Sequence, residues 1–353
     1  MSTAATAYAL DAAPPAGSSV EIVTGLHWVR QPLPMSLDHI NVWLLHDDRK
    51  FAIVDTGIDS RTSRKIWQRI LRECVPDLTV DKIVATHLHP DHVGLAGWLC
   101  KSLDAPLWMT RSEYLLCRVL CNDTGQAAPD EALRFYHAAG MDAQSLEHYR
   151  QTFGRFGKLV SPLPQNYRRI RHGDTMQLGP FDWEVVVGRG HSPEHACLYS
   201  EEIDTLISGD QILPTISSIV AVWPTEPDAN PLLSWLDSCR FLQHRFADTT
   251  LVLPSHGLPF RGIARRMHEL IVHHEQKLAA LADYCAQPQR AVDVFSLLFK
   301  AEIDDGNLVM AIGETVAHFN YLCNAGILQR DTDAQGVHWY QHRQTIGKTT
   351  ISC

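Results

Sequence analysis

The stretch from Thr86 to Gly94, Thr-His-Leu-His-Pro-Asp-His-Val-Gly, restricts the fold of this chain more than any other part of the sequence. The run before it, Lys82–Thr86, is apolar and partly β-branched, which predicts a buried strand. On the extended segment that follows, His87 and His89 are two residues apart and therefore project to the same side. A proline then stops the strand, and Asp91 takes a position suited to the first turn of a helix.

Four side chains that can bind a metal ion therefore lie within six residues, at the point where a strand passes into a helix. Imidazole nitrogens and carboxylate oxygens together suit zinc or another first-row metal. A histidine-rich surface turn is the alternative interpretation of this stretch taken alone. Similar positions recur along the chain, where a predicted strand ends beside glycine or proline and a histidine or aspartate stands there. They are Asp55, His191, Asp210 and His256.

In layered α/β folds, functional side chains gather at the ends of strands along one edge of a sheet. The candidate ligands number seven, which is too many for one tetrahedral zinc ion but suits two metal ions that share a carboxylate. They are His87, His89, Asp91, His92, His191, Asp210 and His256.

The pattern of apolar residues predicts a mixed α+β fold. From Val20 onward it indicates an antiparallel meander that passes into β-α-β-α, with helices over residues 61–74 and 91–102. Residues 111–157 have helical spacing with no strand between, which predicts a helical insertion. Two interpretations of the insertion stay open: a lid or pocket wall, and an element that forms a homo-oligomer.

Strands return after the insertion, and the character of the chain changes again beyond Arg261. Three predicted helices and a two-stranded wing there indicate a winged-helix-like domain over residues 261–353, which leaves residues 20–260 as the main domain. Residues 1–19 contain Ala, Ser, Thr and Pro without a basic segment or an adequate apolar segment. They are expected to form a disordered tail and not a signal peptide.

The composition indicates which kinds of partner the protein can bind. The 31 Lys and Arg against 40 Asp and Glu give a formal net charge of −9, which argues against a broad nucleic-acid footprint and favours a small-molecule substrate. A local basic patch stays compatible with this balance. The nine cysteines are scattered without a Cys-x-x-Cys pair, which is typical of reduced thiols in the cytoplasm. The sequence has no stretch of eighteen apolar residues, so no association with a membrane is expected.

Four segments resemble the successive metal motifs of metallo-β-lactamase-fold hydrolases: Thr86–His92, Gly190–His195, Ser208–Asp210 and Ser255–Gly257. Asp55-Thr-Gly57 is similar to the first motif of that superfamily. The resemblance implies an αββα sandwich over residues 20–260. The helical part after residue 261 is similar to a winged-helix extension on one branch, which contains uncharacterised bacterial hydrolases and a β-lactamase-like endoribonuclease.

The same resemblance implies the role of each motif residue. It assigns His87, His89 and His191 to one metal ion, with Asp210 as a bridging ligand. The second ion would take the remaining three ligands: Asp91, His92 and His256.

Asp55 is implied as a residue that orients a ligand histidine. The true lactamase branch has a cysteine ligand on the second metal, and the equivalent stretch here contains Asp210, which favours the glyoxalase II-like arrangement over antibiotic hydrolysis. His89 stands where flavodiiron proteins have a glutamate, which argues against that group. Further histidines are predicted to be structural: His39, His195, His273 and His274.

Metal-activated water defines the expected chemistry. Two divalent ions, of which Zn²⁺ fits best and Fe or Mn are alternatives, would hold a bridging hydroxide hydrogen-bonded to Asp91, the predicted catalytic residue. A thiolate leaves without strong acid assistance, so the sequence favours hydrolysis of acyl-CoA or acyl-glutathione thioesters, or of related esters and lactones. A phosphodiesterase or endoribonuclease is the main alternative. A mononuclear iron sulfur dioxygenase and a non-enzymatic regulatory module rank lower.

Overall fold

The structure, a computed structural model, describes residues 7–9, 12–35, 37–47, 49–74 and 79–343. Part of the predicted tail at residues 1–19 lies outside these ranges. Within the described part of this tail, strand β1 (Ala7–Tyr8) pairs antiparallel with Phe260–Arg261. This differs from the expected disordered tail, because the backbone of these two residues joins the edge of a sheet.

The first seven-stranded sheet contains the meander predicted from the sequence. Its strands follow each other in chain order, antiparallel from the first to the fourth and parallel thereafter. They are β2 (Ser19–Val23), β3 (Leu26–Pro32), β4 (His39–His46), β5 (Lys50–Val54), β6 (Thr79–Val84), β7 (Leu107–Met109) and β8 (Arg168–Arg169).

The second seven-stranded sheet is formed by β1 and by strands from the later part of the chain, in the order β1-β14-β13-β12-β11-β10-β9. Only the pair β12–β13 is parallel. The added strands are β9 (Thr175–Leu178), β10 (Phe181–Gly188), β11 (His195–Ser200), β12 (Thr205–Gly209), β13 (Leu251–Pro254) and β14 (Phe260–Arg261).

Strand β4 shows why the two sheets stack. Its side chains alternate between two buried clusters, because successive residues of a strand point to opposite faces. Trp43 packs with Trp183 and Ile207 of the second sheet, whereas Val42 packs with helical residues on the outer face, among them Trp67. The first sheet is therefore covered by the second sheet on one side and by helices on the other.

Helices lie between and after the strands along the chain. Those before the second sheet are α1 (Arg61–Cys74), α2 (Pro90–Val93), α3 (Ala96–Leu103), α4 (Arg111–Asn122), α5 (Asp130–Ala138) and α6 (Ala143–Thr152). Later come α7 (Pro231–Arg245) and α8 (Ile263–Tyr284). On the second sheet, the end of α7 is joined to β10 by an ion pair between Arg245 and Glu184 (2.9 Å). The αββα sandwich expected from the sequence is thereby confirmed.

The helix predicted over residues 91–102 is instead two helices, α2 and α3. The backbone N–H of Leu95 donates outside the helix, to the carbonyl of Gly57 (3.0 Å) and to Oγ1 of Thr56 (3.1 Å). Gly94 is in van der Waals contact with the same loop, where a β-carbon would lie 2.7 Å from the Gly57 carbonyl oxygen. Close contact with the loop after β5 therefore interrupts the helix.

The last part of the chain contains α9 (Phe295–Leu298), α10 (Leu308–Asn324) and the hairpin β15 (Leu328–Thr332) with β16 (His338–His342). The three helices and the hairpin expected there are present, although the second of these helices begins as a 3₁₀ turn, Ala291–Val294. Phe319 of α10 stacks on Tyr340 of β16 at 3.9 Å between ring centroids. Classification of this part as a winged helix stays a prediction.

Two compact units can be distinguished in the structure. The first comprises residues 1–127, 153–218 and 237–269, and the second comprises residues 128–152, 219–236 and 270–353. The predicted insertion is divided between them, since α4 belongs to the first unit and α5 and α6 to the second. The domain boundary at residue 261 stays a prediction. Within the described ranges, no helix combines the length and apolar character needed to cross a membrane.

Candidate metal centre

All seven candidate ligands lie just after strands of the first unit, five on loops and two, Asp91 and His92, in the short helix α2. The segment after β6, which ends in α2, carries four of them, and the loops after β10, β12 and β13 carry one each. Because these strand ends meet at one edge of the two stacked sheets, residues far apart in sequence come together there. The structure thus collects the predicted set: His87, His89, Asp91, His92, His191, Asp210 and His256.

The ligand atoms form two groups, and within each group all of them lie within 4.8 Å of one another. One group contains His87, His89, His191 and Asp210, and the other contains Asp91, His92 and His256.

Asp210 lies between the two groups. Its Oδ2 is 3.6 Å from Nε2 of His191 in the first group. Its Oδ1 is 3.3 Å from Nε2 of His92 and 3.3 Å from Nε2 of His256 in the second group. One carboxylate therefore faces both groups, which is the geometry expected of a shared ligand.

The atoms that meet here fit a bound cation. Nε2 of His92, Nε2 of His256 and Oδ1 of Asp210 are buried, and none of them has a hydrogen-bond partner in the described part of the chain. Buried polar atoms without partners are costly, and a divalent cation coordinated by all three would satisfy them together. A donor set of imidazole nitrogen and carboxylate oxygen matches the preference of zinc and similar first-row metals.

Charge differs between the two groups. In the first, burial and the neighbouring histidines hold the pKa of His87 well below its usual value, and burial lowers the pKa of His89 to about 3. In the second, burial opposes protonation, yet Asp210 raises the pKa of His256 to about 10 and that of His92 well above its usual value. A cation in the second group would therefore take the place of protons on the imidazoles.

Asp55 contacts the site from the end of β5, in the place expected of a residue that orients a ligand histidine. Its Oδ2 accepts a hydrogen bond from Nδ1 of His92 (2.7 Å), and its Oδ1 accepts one from the backbone N–H of Thr86 (2.8 Å). This directs Nε2 of His92 towards Asp210. The φ angle of Asp55 is +61°, a left-handed conformation that costs roughly 1–2 kcal/mol for most residues and less for aspartate and asparagine.

Two histidines predicted to be structural hold ligand residues in place. Nε2 of His195 accepts the backbone N–H of Asp210 (3.0 Å). The carbonyl of His39 accepts a hydrogen bond from Nδ1 of His256 (2.7 Å), and Nε2 of His39 accepts the N–H of Gly257 (2.9 Å). Their role is to fix the backbone and rings of the ligands, which agrees with a structural assignment.

Glu113 is a residue of this site that the sequence did not reveal. Its buried carboxylate accepts hydrogen bonds from the N–H of Leu88 (3.0 Å), the hydroxyl of Ser192 (2.7 Å) and the N–H of Glu194 (2.7 Å). Burial raises the pKa of Glu113 to about 7, although the three donors oppose that shift. An acidic residue in the first turn of a helix is the only sequence signal, and it is common to many helices.

Comparison with known proteins places this geometry in a family. The Metallo-beta-lactamase superfamily matches residues 35–256, and the Metallo-beta-lactamase-like, C-terminal domain family matches residues 278–343. A solved beta-lactamase domain protein from Burkholderia ambifaria is 39% identical, with a TM-score of 0.88 over 96% of this chain and 98% of that one. A metallo-beta-lactamase family protein from Thermus thermophilus is 27% identical, with a TM-score of 0.77 over 92% and 100%.

Curated relatives are more distant. Probable metallo-hydrolase YqjP of Bacillus subtilis is 23% identical over 305 residues, which cover 83% of this chain and 91% of the relative. Acyl-coenzyme A thioesterase MBLAC2 of Gallus gallus is 22% identical over 196 residues, 54% of this chain and 63% of the relative. Hydroxyacylglutathione hydrolase GloC of Haemophilus influenzae is 26% identical over 179 residues, 50% and 69%.

The match over residues 35–256 covers more than half of the chain, and it includes all seven residues of the ligand cluster. Two stacked sheets with this cluster at their common edge are the structural counterpart of that match. The chain therefore belongs to the metallo-β-lactamase superfamily, whose curated members among its relatives include metallo-hydrolases.

Proposed function

We propose that the protein is a hydrolase with two divalent cations, Zn²⁺ in the first instance, that cleaves thioesters of the acyl-CoA or acyl-glutathione type, or related esters and lactones. The observation that carries the proposal is the convergence of seven ligand side chains in two groups around the Asp210 carboxylate. His87, His89 and His191 would hold one cation. The other would be held by Asp91, His92 and His256, with Asp210 shared.

When bound, the cations lower the pKa of water to about 7 and stabilise negative charge that develops on the acyl oxygen. The protein's own contribution to proton transfer is Asp91. Its Oδ2 lies 3.4 Å from Nε2 of His256 and 3.7 Å from Nε2 of His92. Burial alone would raise the pKa of Asp91, but the adjacent imidazoles lower it below its usual value. Asp91 is therefore ionised at neutral pH and can accept the proton of the attacking water.

The protonation state of Asp91 and Asp210 determines which leaving groups need a further proton donor. Burial opposes ionisation of Asp210 too, yet His256 and His92 hold its pKa well below the usual value, so before water is deprotonated neither Asp91 nor Asp210 carries a proton to donate. A thiol has a pKa of about 8.5 and leaves as a thiolate without a proton donor, unlike an amine or a sugar hydroxyl. Hydrolysis of a thioester therefore requires no proton donor beyond these carboxylates.

The comparisons support the same class of substrate. MBLAC2 is named an acyl-coenzyme A thioesterase and GloC a hydroxyacylglutathione hydrolase, and each aligns with about half of this chain. Both names describe cleavage of a thioester. The low identity of these matches is the reason that the acyl group stays outside the proposal.

We also propose that the protein acts in the cytoplasm on a small-molecule substrate. The cysteines that the structure describes include seven free thiols, as expected in a reducing compartment. The formal net charge of −9 supports a small substrate over a polyanion.

A substrate panel on Zn²⁺-loaded protein tests the proposal. We expect turnover of acyl-CoA or acyl-glutathione above that of a lactone, and none of single-stranded RNA. Turnover of RNA with a KM that rises steeply with salt would instead assign the protein to the phosphodiesterases, because RNA binding releases counterions and acyl-glutathione binding does not. His89→Ala serves as the control that separates site-dependent hydrolysis from a contaminating activity.

A further inference from the structure

We propose that Glu113 is a positioning residue that locks together the two loops carrying His87, His89 and His191. This inference rests on the proposed function, because it assumes that these histidines hold a cation. Glu113 belongs to α4, the first helix of the insertion, and not to any of the strand-end motifs.

The geometry of the contacts assigns this role. Oε2 of Glu113 accepts the backbone N–H of Leu88, the residue that separates His87 from His89. Oε1 accepts the hydroxyl of Ser192, which directly follows His191 in the chain, and the backbone N–H of Glu194. One carboxylate thus binds the loop after β6 with one oxygen and the loop after β10 with the other.

The start of α4 is itself bound to the second of these loops. The carboxylate of Glu194 accepts the N–H of Ser112 (2.8 Å), and the carbonyl of Glu194 accepts the hydroxyl of Thr110 (2.8 Å). Tyr114 and Cys117 fix the helix by packing in the core on the outer face of the first sheet. The carboxylate of Glu113 is therefore held on a rigid element, so its hydrogen bonds can fix the distance between the two loops.

The charge of Glu113 has no counter-charge among its three hydrogen-bond partners, which are two backbone N–H groups and one hydroxyl. A buried carboxylate with uncharged donors is costly, and a cation held by the adjacent histidines would offset part of that cost. Glu113 should therefore strengthen cation binding in two ways, by fixing the loops and by the negative charge of its ionised form.

Glu113→Gln tests this with little change in shape. An amide has one oxygen and one NH₂ group, so whichever way it is oriented, its NH₂ faces the N–H of either Leu88 or Glu194, and one loop is released. The matched control is Glu314→Gln in α10, which removes another largely buried carboxylate, one paired with Lys277 in the second unit.

The measurement is the Kd of Zn²⁺ for metal-free protein, by competition with a chromophoric chelator. It is made in a His256→Ala background, which removes a ligand of the second group and leaves the first group intact. We expect Glu113→Gln to raise this Kd about 10- to 100-fold, as is usual for residues that orient metal ligands. Glu314→Gln should change it less than about twofold, because the described contacts of Glu314 are with Lys277 and His318 and not with a ligand. The melting temperature of each metal-free variant is measured beside the Kd.

An unchanged Kd together with a lower melting temperature of metal-free Glu113→Gln would overturn the inference, since Glu113 would then serve folding alone. If Glu113→Gln does not fold, Ser192→Ala removes one of the three donors and should raise the Kd roughly fivefold; an unchanged Kd in that variant overturns the inference equally. Failure of the proposed function looks different. Wild-type protein that binds no Zn²⁺ contradicts the metal site itself, whereas Zn²⁺ binding without thioester turnover contradicts only the substrate.

Discussion

Each of the two units contains a cluster of buried ionisable side chains, and only one of the clusters fits a metal ion. The ligand cluster lies in the first unit and combines five histidines with Asp91 and Asp210. In the second unit, His274 of α8 lies against His318 of α10 at 5.7 Å between ring centroids, and Lys277 pairs with Glu314 (3.7 Å). Burial of histidine is therefore common to both, and it does not by itself make a metal site.

The sign of the neighbouring charge separates the two clusters. In the ligand cluster, Asp210 raises the pKa of His256 to about 10 against the effect of burial. In the second cluster, burial lowers the pKa of His318 to about 4 and that of His274 to about 2, and the positive charge of Lys277 acts in the same direction. A site that attracts cations thus requires carboxylates that face the imidazoles, and in the second cluster the carboxylate of Glu314 is paired with the ammonium group of Lys277.

The largest expected effect comes from removing a ligand. His89→Ala or Asp210→Ala should lower kcat/KM by about 10³-fold or more, because the metal supplies several kcal/mol of transition-state stabilisation. The same variants should lose bound metal, measured by elemental analysis after dialysis. His318→Ala removes a buried histidine of the other cluster and should leave metal content unchanged. Full metal content in His89→Ala, or a loss in His318→Ala, would break the distinction between the clusters.

The convergence of these seven side chains could be predicted from the sequence because each follows a strand and is marked by glycine or proline. The end of a strand fixes where a side chain lies with only local information, so Asp55, His191, Asp210 and His256 could be placed together from the pattern alone. The strands and α1 were predictable for a similar reason, since their apolar residues repeat with the period of one element.

Contacts between distant segments set the features that the sequence did not predict. The helix over residues 91–102 has an uninterrupted helical pattern, and its division depends on hydrogen bonds from Leu95 to the loop after β5. Glu113 is similar, because nothing in α4 indicates that its carboxylate meets Leu88 and Ser192. Such residues are recognised only when the tertiary structure brings their partners together.

Removal of metal should have the next largest effect, a loss of stability. The local loosening that accompanies this loss should be confined to the first unit. A cation at about 1,000 times its Kd stabilises the folded state by about 4 kcal/mol, so a chelator should lower the melting temperature of the wild type. Amide hydrogen exchange should accelerate in residues 86–92 and 188–195 and stay constant in α10. An equal chelator effect on Asp210→Ala, which lacks the shared ligand, would contradict this prediction.

Acid should lower the free energy of unfolding through protonation of the second cluster. The folded pKa of His318 is about 4, below the usual 6.5, so its contribution to stability is complete above pH 6.5 and is lost as the pH falls towards 4. The change amounts to roughly 3 kcal/mol over that window, at about 1.4 kcal/mol per pKa unit. The charged groups around it are Lys277, Glu314 and the neighbouring histidines of α8.

Urea unfolding of metal-free protein at pH 7 and pH 5 measures the part of this loss that falls above pH 5, about 2 kcal/mol. His318→Phe should reduce the difference in free energy of unfolding between the two pH values, whatever its effect at pH 7. A pH dependence identical to that of the wild type would show that the acid lability arises elsewhere, for example at the ligand histidines.

The smallest effect is expected from Asp55→Asn, which tests how the two clusters fix the orientation of their rings. Nδ1 of His318 is bonded to the backbone carbonyl of Glu314, which no substitution can remove, whereas Nδ1 of His92 depends on the side chain of Asp55. Asparagine tolerates the left-handed backbone of this position, so the fold should survive. Its NH₂ group would donate to Nδ1 of His92 and move the ring proton to Nε2, the atom that faces Asp210.

A ring protonated at Nε2 cannot bind a cation there, so Asp55→Asn should lower metal affinity and kcat/KM by about 10- to 100-fold. The matched control is Asp104→Asn at the end of α3, where an aspartate has the same left-handed backbone, at φ +52°, without contact to a ligand among its described hydrogen bonds. That variant should stay within about twofold of the wild type. If both variants lose the same activity, loss of a carboxylate at a left-handed position, and not the His92 tautomer, is the cause. If neither does, the ring of His92 is fixed by its packing, and the carboxylate of Asp55 is needed only for the N–H of Thr86.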